Sequence, residues 1–67
     1  MLKRKFNHIK LSQLIQERGL GIEDVAKGVK RNISNISRWA DGKTSPSPKS
    51  IRAIAKYFKV EIKELFV

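Results

Sequence analysis

The sequence predicts an all-α domain, a compact bundle of about five short helices. Three observations lead there. Apolar residues recur at three- and four-residue intervals in successive stripes, no stretch of four or more residues alternates like a strand, and turn-forming residues fill the gaps between stripes. At 67 residues and 40% hydrophobic content the chain makes one small domain with barely enough apolar surface for a core. It has no cysteine and one histidine, His8. That composition excludes disulfides and thiolate zinc sites, and no run of about 18 apolar residues exists to span a bilayer.

Leu11, Leu14, Ile15 and Arg18 stand at i, i+3, i+4 and i+7, which predicts a first helix from about Ile9 to Arg18, stopped by Gly19. Residues 1–8 before it read as a basic arm containing Lys3, Arg4 and Lys5, with His8 on the surface and Met1 and Leu2 near the apolar end of the chain. A second helix follows from Ile22, Val25, Ala26 and Val29, with Glu23 and Asp24 complementing the dipole of its first turn. Asn32 is suited to cap a third, carrying Ile33, Ile36, Trp39 and Ala40. About three residues separate these two stripes, and helices joined so tightly cross closer to a right angle than to antiparallel, as in a helix-turn-helix. Asp41 to Pro48 is loop chemistry, with Gly42, Pro46 and Pro48. Ser47 and Pro48 then supply an N-cap and a first-turn proline for a fourth helix bearing Ile51, Ile54, Ala55 and Phe58. Lys59 to Glu61 break it, and a last short helix carries Ile62, Leu65 and Phe66.

Fifteen Lys and Arg against six Asp and Glu leave a net charge of +9, so the domain prefers polyanions. Lys27, Lys30, Arg31, Arg38, Lys43 and Lys49 occupy the middle of the chain against Asp41 alone, whereas the last quarter mixes signs; the centre is the expected contact surface. On the third helix, about 100° per residue places Ile36 at the middle of the buried stripe, with Ile33 and Trp39 about 60° to either side. Ser34 and Arg38 then lie at the middle of the opposite face, Asn35 and Ser37 on its flanks, and Arg31 just before it. Small side chains let a helix approach a groove closely, an arginine can pair bidentately with guanine O6 and N7, and Asn or Ser can bond other base edges. A polar face also serves plain solvation. Here the absence of acids from Lys27 through Ala40, the tight preceding turn and the net charge favour the groove. Trp39 shares the stripe of Ile36, which makes it core rather than a base-stacking platform. No Ser/His/Asp order, paired carboxylates or phosphate-cradling Gly-rich loop occurs, so neither enzyme activity, nor a cofactor, nor a small-molecule substrate is expected.

The run Val25-Ala26-Lys27-Gly28-Val29-Lys30-Arg31-Asn32-Ile33-Ser34-Asn35-Ile36-Ser37-Arg38-Trp39-Ala40-Asp41-Gly42-Lys43 resembles the helix-turn-helix of the phage repressor/Cro family, also called the XRE family. Gly19-Leu20, Ile54-Ala55-Lys56 and Val60-Glu61-Ile62-Lys63-Glu64-Leu65 resemble its flanking helices, so the likeness covers about Ile9 to Phe66. It implies a lambda-repressor-like bundle in which the second and third helices form the motif and Ile33, Ser34, Ser37 and Arg38 face the bases. Asn32, Arg31, Lys30, Lys27, Lys43 and Thr44 are the expected contacts to the DNA backbone. The sequence departs from the family at four places. Lys30 stands where the turn usually has Gly, at a cost of roughly 1 to 2 kcal/mol if the residue is left-handed. Arg31 replaces an apolar residue; either Ile33 fills the vacancy from the next turn or it stays on the reading face, where a thymine methyl is its natural contact. Gly21 and Ile22 replace the usual polar cap and phosphate contact of the second helix.

The resemblance implies a sequence-specific double-stranded DNA-binding regulator of transcription, working in the cytoplasm and away from any membrane. One recognition helix reads only about 4 or 5 base pairs, so a homodimer on an inverted repeat is expected, acting as a repressor by occlusion. Leu65, Phe66 and Val67 are the expected dimer seam, with closure of the core as their other use. The rival from another class is an antitoxin-like protein-interaction module on the same fold.

Overall fold

Side-chain N-caps and left-handed C-caps delimit the helices. In the computed structural model, which describes residues 5–67, α1 spans His8–Glu17, α2 Ile22–Val29, α3 Ile33–Asp41 and α4 Pro48–Phe58. Asn7 starts α1, one residue earlier than the apolar spacing suggests, because its Oδ1 accepts the Lys10 N–H at 3.1 Å. Asn32 and Ser47 cap α3 and α4 as expected, accepting the N–H of Ser34 at 2.8 Å and of Ser50 at 3.3 Å.

All four helices close in one way. A left-handed residue follows each, Gly19, Lys30, Gly42 and Lys59 in turn. The next N–H then reaches back five residues: Leu20 to Ile15 at 3.1 Å, Arg31 to Ala26 at 3.0 Å, Lys43 to Arg38 at 2.9 Å and Val60 to Ala55 at 3.0 Å. This is the Schellman closure, and it suits glycine best. Lys30, at φ 56°, and Lys59, at φ 58°, carry a Cβ in that conformation. Lys30→Gly and Lys59→Gly are therefore each expected to stabilise the fold by roughly 0.5 to 1 kcal/mol, the relief of left-handed strain exceeding the extra unfolded-chain entropy of glycine. A rise in urea midpoint at constant slope is the measurement.

In place of the expected fifth α-helix stands a 3-10 turn, Ile62–Leu65; the described residues form four α-helices and this one turn. The backbone that would have extended it pairs with the start of the domain instead. Phe66 forms an isolated antiparallel bridge with Phe6, Asn7 donates to the Leu65 carbonyl at 2.8 Å, and Val67 donates to the Lys5 carbonyl at 2.8 Å. Lys5 to His8 are consequently no arm: Phe6 is buried in the core and His8 opens α1. Met1, Leu2, Lys3 and Arg4 lie outside the described residues.

α1 packs on α3 and on the 3-10 turn, while α2 packs on α3 and α4. Leu11, Val25, Ile36, Ile54, Phe58 and Leu65 are wholly enclosed where they meet, and Trp39 lies beside them. α2 comes close to α4 at Gly28, where any Cβ would overlap the Tyr57 ring. Arg18, read above as a stripe residue, donates from Nη2 to the Phe58 carbonyl at 2.7 Å and lies over the Phe58 ring, satisfying a carbonyl at the end of α4. Among the described residues no helix is long and apolar enough to cross a membrane, and no group of His, Asp and Glu is placed to hold a metal.

Candidate nucleic-acid interface

α3 presents two opposed faces; its first turn is capped and its last turn is tied to α1. At the N-terminus Asn32 holds the first turn. At the C-terminus the Ala40 carbonyl accepts from His8 Nδ1 at 3.3 Å and from Ser12 Oγ at 3.0 Å, both on α1. Gly42 permits this junction, since a Cβ there would come within 2.8 Å of the His8 ring. His8 is thus half-buried and structural, contrary to the surface position expected of it.

Ile36 and Trp39 face inward, at 0% and 7% exposure, and Ser34, Ser37 and Arg38 face outward. This is the orientation the helical spacing predicts. Asn35 is half-buried on the flank. The outward side chains border an open depression of about 480 Å³ that Ile33, Ser34, Ser37 and Arg38 line from α3, and Lys43 from the following loop. Five residues selected from the sequence therefore come together at one place. Ile22 and Asp41 complete the lining and were not among them. Asp41 went unselected as an acid in a basic stretch, and Ile22 because its spacing assigns it to the core stripe of α2. In the fold Ile22 is half-buried at the edge of that stripe, with a flank on the depression.

Ile33 does not fill a vacancy left by Arg31. It is 43% exposed. Arg31 fills its own position, its Nε donating to Ser50 Oγ at 3.0 Å and its Nη1 to the carbonyls of Lys30 at 3.1 Å and Val29 at 3.3 Å. Ser50 is buried and also bonded to Ser47 Oγ at 3.2 Å. The guanidinium thereby ties the helix-turn-helix turn to the first turn of α4, a polar substitute for the apolar contact usual at that position.

The expected backbone contacts are more dispersed. Lys27, Lys30, Asn32, Lys43 and Thr44 are exposed, but only Lys43 borders the depression. Lys30 and Arg31 line another hollow, between α2 and α4, and Thr44 a third beside Phe6 and Pro46. Asn32 spends its carbonyl oxygen on the α3 cap and keeps its amide donors. At the start of α2, Gly21 offers no side-chain cap; instead Asp24 accepts the Gly21 N–H at 2.9 Å. With Glu23 beside it, that terminus carries carboxylates where a phosphate would sit, which weakens it as an anion site. Of the residues expected at a dimer seam, Leu65 is withdrawn, being fully enclosed in its own core. Phe66 is half-buried and Val67 82% exposed.

Comparison with known proteins agrees with this geometry. A family model for the Cro/C1-type HTH DNA-binding domain matches residues 10–67. The chain is 38% identical over 61 residues to the HTH-type transcriptional activator BcrR of Enterococcus faecalis, a match that takes in 91% of this chain and 29% of that protein. The crystal structure of a transcriptional regulator from Listeria innocua superposes with a TM-score of 0.83 at 26% identity, covering 97% of this chain and 60% of that one. The chain thus spans less than two thirds of either relative.

Proposed function

Because this chain belongs to the Cro/C1-type helix-turn-helix family of DNA-binding domains, which are transcription regulators and not enzymes, we propose that it reads a specific duplex sequence with α3 in the major groove. α2 crosses the sugar–phosphate backbone above it. The observation that carries this reading is the outward strip of Ser34, Ser37 and Arg38, on the side of α3 away from the buried Ile36, on a helix tied to α1 at its C-terminal end. Arg38 reads guanine, Ser34 and Ser37 bond neighbouring base edges, and Asn35 touches the groove from the flank. Lys43 borders the same depression and neutralises phosphate, with Lys27, Lys30, Asn32 and Thr44 acting farther out and Arg31 only through any donor its turn leaves over.

A homodimer on an inverted repeat supplies the specificity that one short helix lacks. Val67, Phe66 and Ile62, the last 43% exposed, are the apolar side chains its seam would use. Bound in the cytoplasm across a promoter, the dimer represses by excluding polymerase. A second reading, activation, is favoured by the likeness to the transcriptional activator BcrR. A reporter with the operator placed either over or upstream of the promoter separates the two.

Selection of bound duplexes from a random pool, with the footprint measured, tests the whole proposal. An enriched inverted repeat supports it. Failure to enrich any duplex, together with saturable binding to an acidic protein, would instead establish the protein-interaction alternative. On the selected duplex, Lys43→Ala is expected to weaken binding to all sequences alike and to reduce the salt slope by about one. A change of preferred sequence in that variant would contradict its assignment to phosphate.

A further inference from the structure

We propose that Ile22 and Ile33 together form a receptor for the 5-methyl group of a pyrimidine, so that each half-site carries a methylated pyrimidine near the guanine read by Arg38. The inference rests on the placement of α3 in the major groove proposed above. Each isoleucine is the first residue of its helix, and the helix-turn-helix crossing brings both to one depression, which Arg38, Ser37 and Lys43 also border. Ile33 is 43% exposed and Ile22 half-buried, so both keep apolar surface for a ligand.

A single exposed isoleucine has no special meaning. Two from different helices, meeting beside a guanidinium and an ammonium, make an apolar spot inside a cationic surface, and the charge selects a polyanion as the occupant. An isoleucine cannot satisfy the donors and acceptors of a base edge, and covering one with it would strand a polar group away from water. Only one feature of the major groove is apolar, the methyl at pyrimidine C5. Ile33 and Arg38 are five residues apart, about 7.5 Å along the helix axis. At about 3.4 Å per base step, the methyl and the guanine lie about two steps apart. Asp41, the acid on this rim, can accept from an exocyclic amine between or beyond them.

Thymine and 5-methylcytosine share this chemistry, and the experiment separates them. Starting from the selected duplex, each thymine is replaced in turn by uracil, and the position found sensitive is then rebuilt with cytosine or 5-methylcytosine opposite guanine. Affinities are measured for the unaltered protein, Ile33→Ala and Ile22→Ala, with thermal melting of each variant as the check on folding. One thymine per half-site is expected to lose about fourfold in affinity on conversion to uracil, the value of one buried methyl. Ile33→Ala is expected to bind both forms alike. An increment at thymine only assigns the receptor to that base, and an equal increment between cytosine and 5-methylcytosine extends it to methylated sites. Indifference to uracil at every thymine of a duplex the protein still selects would overturn the receptor and leave the DNA reading intact. Full methyl dependence retained in both isoleucine variants would overturn it too. Failure to select any duplex would remove both readings together.

Discussion

Ile36→Ala is expected to unfold most of the domain at growth temperature, with a loss of roughly 2 to 5 kcal/mol. Ile36 has no exposed surface and lies in the core beneath α3, the helix that packs on both α1 and α2. Removing three carbon atoms there leaves a void that this small protein cannot collapse, because its neighbours are themselves fixed by helix caps and by the bonds from His8 and Ser12 to Ala40. Domains of this size have only about 5 kcal/mol or so to lose, and each kcal/mol moves the melting midpoint by about 4 to 8 °C. Circular dichroism melts read the outcome. A variant that melted within a few degrees of the parent would show that the inward face of α3 is not the core face.

Arg38→Ala is expected to do the opposite: leave the melt unchanged and remove sequence preference at one base pair per half-site. Its side chain is exposed and its backbone carbonyl, bonded to Lys43 N–H, survives the substitution. A bidentate arginine–guanine pair discriminates by roughly 1 to 3 kcal/mol, so two half-sites together cost on the order of thirtyfold to ten-thousandfold in affinity for the selected duplex. Competition against duplexes altered at each position shows where preference is lost. Arg38→Lys should recover the salt dependence and little of the selectivity, because a lysine ammonium keeps the charge without the planar fork. Preference unchanged in Arg38→Ala, with affinity lower on every duplex, would move Arg38 from the bases to the phosphates.

Much of this is legible in the sequence. Ser34 and Arg38 are placed outside by helical period alone, given that Ile36 and Trp39 are in. Ser47 and Asn32 announce their helices because a short polar side chain can close its own hydrogen bond within two or three residues. Ile33 was undecided, and its case shows why. It sits about 60° from the centre of the buried stripe, where cover depends on whichever group occupies the next space. That group is the Arg31 guanidinium, held there by Ser50, which is nineteen residues farther along the chain. His8 was misplaced for a like reason: its partner carbonyl is thirty-two residues away, and its space exists because Gly42 lacks a Cβ. Leu65 went from seam to core because the fifth helix gave way to a pairing with Phe6 at the other end of the chain.

The order of residues by itself determined the four helices, the N-caps of α3 and α4, the inward and outward sides of α3, the positive field and the likeness to a family. These depend on interactions within a turn or two, or on charge, and both are written locally. Only the tertiary structure decided that Ile22 joins Ile33 beside Arg38, that Arg31 is a brace, and that Lys5 to Asn7 pair with Leu65 to Val67 over the core. Each of those needs two segments far apart in sequence to arrive at one point, and no periodicity records which distant side chain will already be there.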